Sequence, residues 1–471
     1  MTNFQLAWRN LWRNKRRTMI TSASVFFAVF FALLMRSFQL GAYDRLFQNV
    51  IESYTGYMQL QEKDYLDDRI LDNGFFPDTS LVRKIENDPN ITEVLPRLES
   101  FALAAAGSRT QGVIVMGIDP KGEDRATGLG HRLVKYRLDD SAVNSLQHQD
   151  IPARTRKLIK VFSGYSYSGT ARLMADLGID EKDSAMILPA IRKFASIRNS
   201  YLDSSDTSGI LIGNGLSEYL KAGLGDTIVL IGQGYHGASA AGRYRVKGIV
   251  NLPAPDIDNR IVYLIVTAAQ QLYDAPGLVT SAVICLKRND DNSLEKTRLR
   301  IGRFIKDPLV LVPWRKLNEL LVNQMEADNK SGLILIGILY LVIAFGVFGT
   351  VLMMLAERRR EFGMLISIGM QKRKLAGMIS LELLFVGIIG VAAGIAVSLP
   401  PVFYAHYHPI RFTGQMARMY EDYGFDPVMP TLLPGGYYLW QTVVVLVILI
   451  IAVGFSARRI FRINIINSMR T

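Results

Sequence analysis

The stretch AERRREFGMLISIGMQKRKL, residues 356–375, lies between two long apolar runs. A chain turning round between two membrane spans needs only a few polar residues. This one sets Arg358, Arg359 and Arg360 between Glu357 and Glu361, then places Phe362, Leu365, Ile366 and Gly369 at helical spacing. The pattern predicts a short amphipathic helix, with Gly369 either ending it or admitting a close partner. Joined rigidly to both neighbouring spans, such a helix would carry a push from a soluble protein into the membrane. The plainer reading is an ordinary positively charged turn.

Four apolar runs, 18–35, 332–355, 376–404 and 437–457, meet or approach the roughly 18–20 residues that cross a bilayer. The first ends VFFAVFFALLM and continues as helix-like sequence to 44. No small-residue cleavage pattern follows Met35, so it reads as a retained span rather than a signal peptide. The net charge of +12 would suggest nucleic acid if it were spread over a folded surface. Instead it is gathered at Arg9, Arg13, Lys15, Arg16 and Arg17, at Arg358–Arg360 and Lys372–Lys374, and at Arg458, Arg459, Arg462 and Arg470. These fifteen cations, opposed locally by Glu357 and Glu361, leave the rest near neutral. The positive-inside rule then places both termini and 356–375 in the cytoplasm, with 45–330 and 405–436 outside. Nucleic acid drops out as a partner. Phe4, Ala7, Trp8 and Leu11 form one stripe, so 1–17 reads as a helix lying along the headgroups.

The large outer segment is strand-rich at both ends. ESYTGYMQLQEKDY reads as a strand through Tyr54, Met58 and Leu60, and SFALAAAGSRTQGVIVMGIDP as a hairpin closed at Gly107-Ser108. Between them and GILIGNG the texture turns helical and charge-rich, predicting an inserted subdomain over about 138–201. In it Leu158, Ile159, Val161 and Phe162 are expected to pack on Leu173, Met174 and Leu177. The single cysteine, Cys285, sits in a strand-like run and reads as a buried structural thiol.

Catalytic signatures are lacking. The sequence has no phosphate-binding GxxxxGK[ST] loop and no HExxH or Cys/His metal cluster, and His406 and His408 beside prolines read as turn residues. In the third run Gly387, Gly390 and Gly394 have the spacing of a close helix contact. Glu382 is an acid within that run, with ion pairing and proton chemistry both open to it.

LAWRNLWRNKRRTMIT, the first span, the large outer domain, and AERRREFGMLISIGMQKRKL followed by LELLFVGIIGVAAG together resemble the permeases of the MacB/FtsX-like ABC superfamily. VIVMGIDP, GILIGNGLSEYLKAGLGDTIVLIG, YRVKGIV and VPWRKLNELLVNQM are most similar to lipoprotein-releasing permeases of the LolC/LolE type. The resemblance implies an α-helical membrane protein with four transmembrane helices and a large α+β periplasmic domain, the MacB-like (type VII) ABC permease architecture, in a bacterial inner membrane. It implies that 356–375 is the coupling helix, with Glu357, Arg358, Arg359, Arg360, Glu361, Phe362, Leu365, Ile366 and Gly369 meeting an ATPase. The chain would hold no cofactor and no metal. ATP and Mg would belong to two copies of a separate ABC ATPase subunit, and a second permease chain, copy or paralogue, would complete the assembly. In the lipoprotein branch, acyl chains enter between the first two spans before passing to a periplasmic carrier. Here that assigns Phe26, Phe27, Phe30, Phe31, Ile338, Val342 and Phe345 to a lipid cavity. Two features depart from the family's pattern: the insertion at 138–201, and a C-terminal RRIFRINIINSMRT without the expected proline. Beside lipoprotein release stand efflux coupling or wall-hydrolase control on the same architecture, and a membrane sensor. A sensor would need a sizeable cytoplasmic output domain.

Overall fold

The computed structural model describes residues 5, 8, 9, 15–412, 415–422 and 427–461. They fall into two compact units, one of Met1–Arg45, Leu321–Ile410 and Val428–Thr471, the other of Leu46–Leu320 and Arg411–Pro427. The chain between the third and fourth spans, expected as a separate loop, thus gives its middle to the large domain.

Among the described residues four helices, lying wholly or mostly in the first unit, are long and apolar enough to cross a membrane. They are Lys15–Val50, Glu319–Glu357, Lys372–Tyr407 and Gly436–Phe461. The last is rich in β-branched residues, which in lipid still take the helix because it satisfies every backbone group internally. The predicted glycines set the packing. A Cβ on Gly390 would lie 2.7 Å from the Ser22 carbonyl oxygen, and one on Gly394 2.8 Å from Val29, so span 3 lies directly against span 1. Gly387 faces the other way, onto Leu449 of span 4. Tyr340 of span 2 donates to Gln441 of span 4, and Phe348 meets Phe455 edge to face at 5.2 Å.

In the second unit nine strands form one sheet: β1 Met58–Glu62, β2 Ile91–Ala106, β3 Arg109–Ile118, β6 Gly209–Gly213, β7 Thr227–Gln233, β8 Ser239–Val250, β9 Ile261–Ile265, β10 Ser281–Leu286 and β11 Leu309–Pro313. Two short strands, β4 Tyr136–Arg137 and β5 Ser166–Tyr167, pair apart from it. The order is β11-β1-β10-β2-β3-β9-β6-β8-β7, and β7 pairs again with β2. The sixteen-residue β2 makes this possible, giving Ile91–Arg97 to β10 and Ala102–Ala105 to β7. Six strands therefore close on themselves, which removes their edges. Inward side chains such as Ala104, Val113, Val115, Ile212, Leu230 and Leu264 form the core.

The hairpin at Gly107-Ser108 forms as its sequence predicts, between β2 and β3. The strand expected through Tyr54 does not. Ile51–Thr55 is one π-helical turn ended by Gly56 at φ 67°, and the strand starts at Met58. Tyr54 is taken by other bonds: its hydroxyl donates to Glu99 at 2.8 Å and its carbonyl accepts from Arg97. Arg97 also makes a two-pronged pair with Glu123, at 2.6 and 3.0 Å, both side chains 3% exposed.

The inserted segment is a subdomain with its own core. Helices Asp140–Gln147, Ala153–Val161, Thr170–Asp176 and Glu181–Phe194 enclose Leu146, Ile159, Phe162, Leu173, Leu177 and Ile187. Leu158 and Met174 pack at its margin, whereas Val161 points outward. The strands that flank it, β3 and β6, are separated in the sheet by β9.

Candidate functional site

The helix from Glu319 ends at Glu357, and Arg358 breaks the run at φ −94°, ψ 8°. A second helix, Arg359–Ser367, follows at once. It is closed by a reversal in which Gly369 N–H donates to the Ile366 carbonyl and Met370 N–H to that of Leu365, both at 3.0 Å. Gly369 sits at φ 102°, a conformation that favours glycine, and a Cβ there would meet nothing within 4 Å. Of the two roles open to it in sequence, ending the helix is the one the geometry fills. Gln371 is extended, and Lys372 begins span 3.

The apolar stripe does not face outward for a partner. Phe362 is fully buried in the membrane unit's core with Leu375 and Ile379, and Leu365 and Ile366 pack against that core. The reason lies in Arg358. It donates to Glu382 at 3.0 Å and to Glu361 at 3.0 Å, and its guanidinium lies 5.5 Å from the centre of the Phe362 ring. Of the two roles open to Glu382, the geometry supplies ion pairing. The pair holds the short helix against span 3.

The opposite face is the exposed one. Arg360 and Glu361 lie on it, with Met364 59% and Ile368 79% exposed, while Arg359 is exposed at the helix start. Arg360, Met364 and Ile368 fall at i, i+4 and i+8, one stripe of the helix and its cap. Met364 and Ile368 escaped the sequence reading because Phe362, Leu365 and Ile366 already supplied an apolar face. The signal was present: four-residue spacing of large apolar residues beside a cation.

The residues assigned to a lipid cavity are placed as follows. Phe26 and Phe30 stack at 5.7 Å, Phe27 and Phe31 at 6.0 Å, forming a ring ladder along span 1 with Phe27 and Phe31 outward. Ile338, Val342 and Phe345 form an exposed stripe on span 2. No aromatic contact among the described residues joins the two groups. Above them, Arg36 donates to Asn329 at 2.6 Å and Tyr43 donates to Asp328, so spans 1 and 2 are clasped at one end by polar side chains.

Of the N-terminal stripe, Phe4, Ala7 and Leu11 lie outside the described residues, while Trp8 meets Phe385 edge to face at 5.8 Å. The C-terminal tail from residue 462 also lies outside them. His406 Nδ1 bonds the Thr431 carbonyl at 2.7 Å and His408 rests on Tyr404. Among the described residues no three metal-binding side chains converge. Burial raises the Cys285 thiol to about 11, which keeps it protonated and inert.

Residues 333–465, which contain this site and three of the spans, match the family described as FtsX-like permease C-terminal. This stretch is similar to an FtsX-like permease domain over those residues. Comparison with curated proteins finds no match. Among solved structures, the periplasmic region of MacB from Actinobacillus actinomycetemcomitans is similar at 11% identity and TM-score 0.30, over 59% of this chain and 97% of that one. The extracellular domain of the noncanonic ABC-type transporter YknZ from Gram-positive bacteria is similar at 9% identity and TM-score 0.27, over 55% of this chain and 100% of that one.

Proposed function

We propose that this chain is the permease subunit of an ABC transporter of the MacB type, and that a separate ATPase subunit docks on the outward face of the helix Arg359–Ser367. The observation that carries the reading is the pairing of a buried and an exposed face on one short helix. Phe362 and the Arg358–Glu382 pair fix it to span 3, while Met364 and Ile368 stand out beside Arg360 and Glu361. An apolar knob ringed by charge suits a protein partner better than water. A helix fixed to one span and gripped from outside passes displacement into the membrane. Two ATPase copies and a second permease chain complete the assembly in this reading, with both chain ends cytoplasmic.

For cargo, the reading is a lipid-modified protein drawn from the bacterial inner membrane for transfer to the outer membrane. The Phe26–Phe31 ladder and the stripe Ile338, Val342 and Phe345 supply apolar surface for acyl chains, and nothing on either is charged.

The test isolates the chain from its native membrane in mild detergent and assays Mg-ATP hydrolysis. Wild type should carry an ATPase, and the double variant Met364→Asp/Ile368→Asp should lose it. Both sites are exposed, so thermal stability should stay within about 0.5 kcal/mol. An unchanged ATPase in the variant, or none with wild type, ends the proposal. Mass spectrometry of bound protein decides the cargo: acylated chains support release of lipoproteins, and unmodified protein alone removes it.

A further inference from the structure

The loop between spans 3 and 4 is anchored in two places. In the membrane unit, Thr431 Oγ1 donates to the Val402 carbonyl at 2.7 Å, and Leu432 and Ser37 exchange bonds at 2.9 and 2.8 Å. A Cβ on Gly41 would lie 2.6 Å from the Pro430 carbonyl, so this limb is seated tightly on span 1. In the large-domain unit, Arg411 forms an ion pair with Asp176, the last residue of the helix Thr170–Asp176. Asp176 belongs to the inserted subdomain, and its side chain is only 5% exposed. Arg172, one turn earlier, reaches it at 4.0 Å. A carboxylate this buried needs a cation, and the closer one comes from 235 residues further along the chain.

Three residues, His408–Ile410, separate the end of the span 3 helix at Tyr407 from Arg411. At roughly 3.4 Å per residue that link has little slack. We propose that Arg411 is a positioning residue that makes the inserted subdomain follow spans 3 and 4. Displacement of span 3, held at its other end to the short helix by Glu382 and Arg358, then reaches the insertion through the loop. This relay rests on the transporter reading above; the docking of Arg411 on Asp176 does not.

The experiment measures hydrogen exchange of the full chain in nanodiscs. Arg411→Glu should raise exchange across 170–176 by about fivefold, a local opening rather than global unfolding. The charge-swapped Arg411→Glu/Asp176→Arg should restore it, and Arg411→Lys should change it little. No effect of Arg411→Glu, or no rescue by the swap, overturns the docking. The second arm uses the complex isolated from native membrane, with and without Mg-ATP. Exchange across 170–176 should respond to nucleotide in wild type and in the swap, and not in Arg411→Glu. A response that persists in Arg411→Glu overturns the relay. A wild-type chain that carries no ATPase defeats the transporter reading and the relay with it, while the first arm still decides the docking.

Discussion

Arg97–Glu123 in the large domain and Arg358–Glu382 in the membrane unit are both arginine–glutamate pairs, and their surroundings give them different work. The first is two-pronged and 3% exposed on each side, with Arg97 also bonded to the Tyr54 carbonyl. The second has 13% and 9% exposure, and its arginine has a second acid, Glu361, within reach. Breaking a fully enclosed pair leaves a buried charge uncompensated and destabilises the domain. A pair at the end of a span, with an alternative partner, sets the position of one short helix. Burial decides which kind a given arginine and glutamate become.

Four changes press on that contrast. Glu123→Ala leaves Arg97 buried and uncompensated, and should cost about 3–5 kcal/mol in thermal or urea unfolding of the detergent-solubilised chain. A loss no larger than an exposed substitution gives would mean Arg97 finds water there. Gly390→Leu pushes a side chain into the span 1 backbone at Ser22 and should cost about 1–3 kcal/mol. Its readout is a lower yield of cysteine crosslinks between spans 1 and 3, with the outer domain's unfolding unmoved.

Asp258 is another buried carboxylate, and it accepts from backbone N–H groups, Gly215 at 2.7 Å and Leu252 at 2.8 Å. Burial pushes its carboxyl up to about 7 against their pull. An acid whose folded value lies above its unfolded one takes up protons on folding. The contribution of this one group to stability is therefore greatest below about pH 4 and falls as pH rises through 7, by up to about 1.4 kcal/mol per pH unit. Protection of the Leu252 and Gly215 amides should decline over that window, and Asp258→Asn should flatten the decline. Stability that rises from pH 5 to 7 at these amides would reverse the assignment. The smallest stability effect belongs to Glu382→Gln, about 1 kcal/mol because Glu361 still serves Arg358. On the proposed docking of an ATPase, it should lower nucleotide hydrolysis by the isolated complex far more than Met364→Leu does. Equal effects of the two would show that the pair positions nothing.

The four apolar helices and the hairpin at Gly107-Ser108 could be read from residue order alone. Each depends on neighbours in the chain: a run long enough to cross lipid, and a turn between two alternating strands. The existence of the inserted subdomain was legible for the same reason, as a change from two-residue to helical periodicity. What lay beyond the sequence was which face meets what. Phe362 and Met364 are both large, apolar and two residues apart, and only the core of the membrane unit makes one interior and leaves the other outside. Gly390 and Gly394 announce a close contact, and the third dimension supplies span 1 as its partner. Likewise β2 closes the sheet because its length lets β10 and β7 share it, and Tyr54 leaves its expected strand for Glu99 and Arg97. Asp176 and Arg411 meet across 235 residues. Periodicity fixes what a segment can bury, while the partner that buries it is chosen by the fold as a whole, through contacts whose sequence separation carries no local signal.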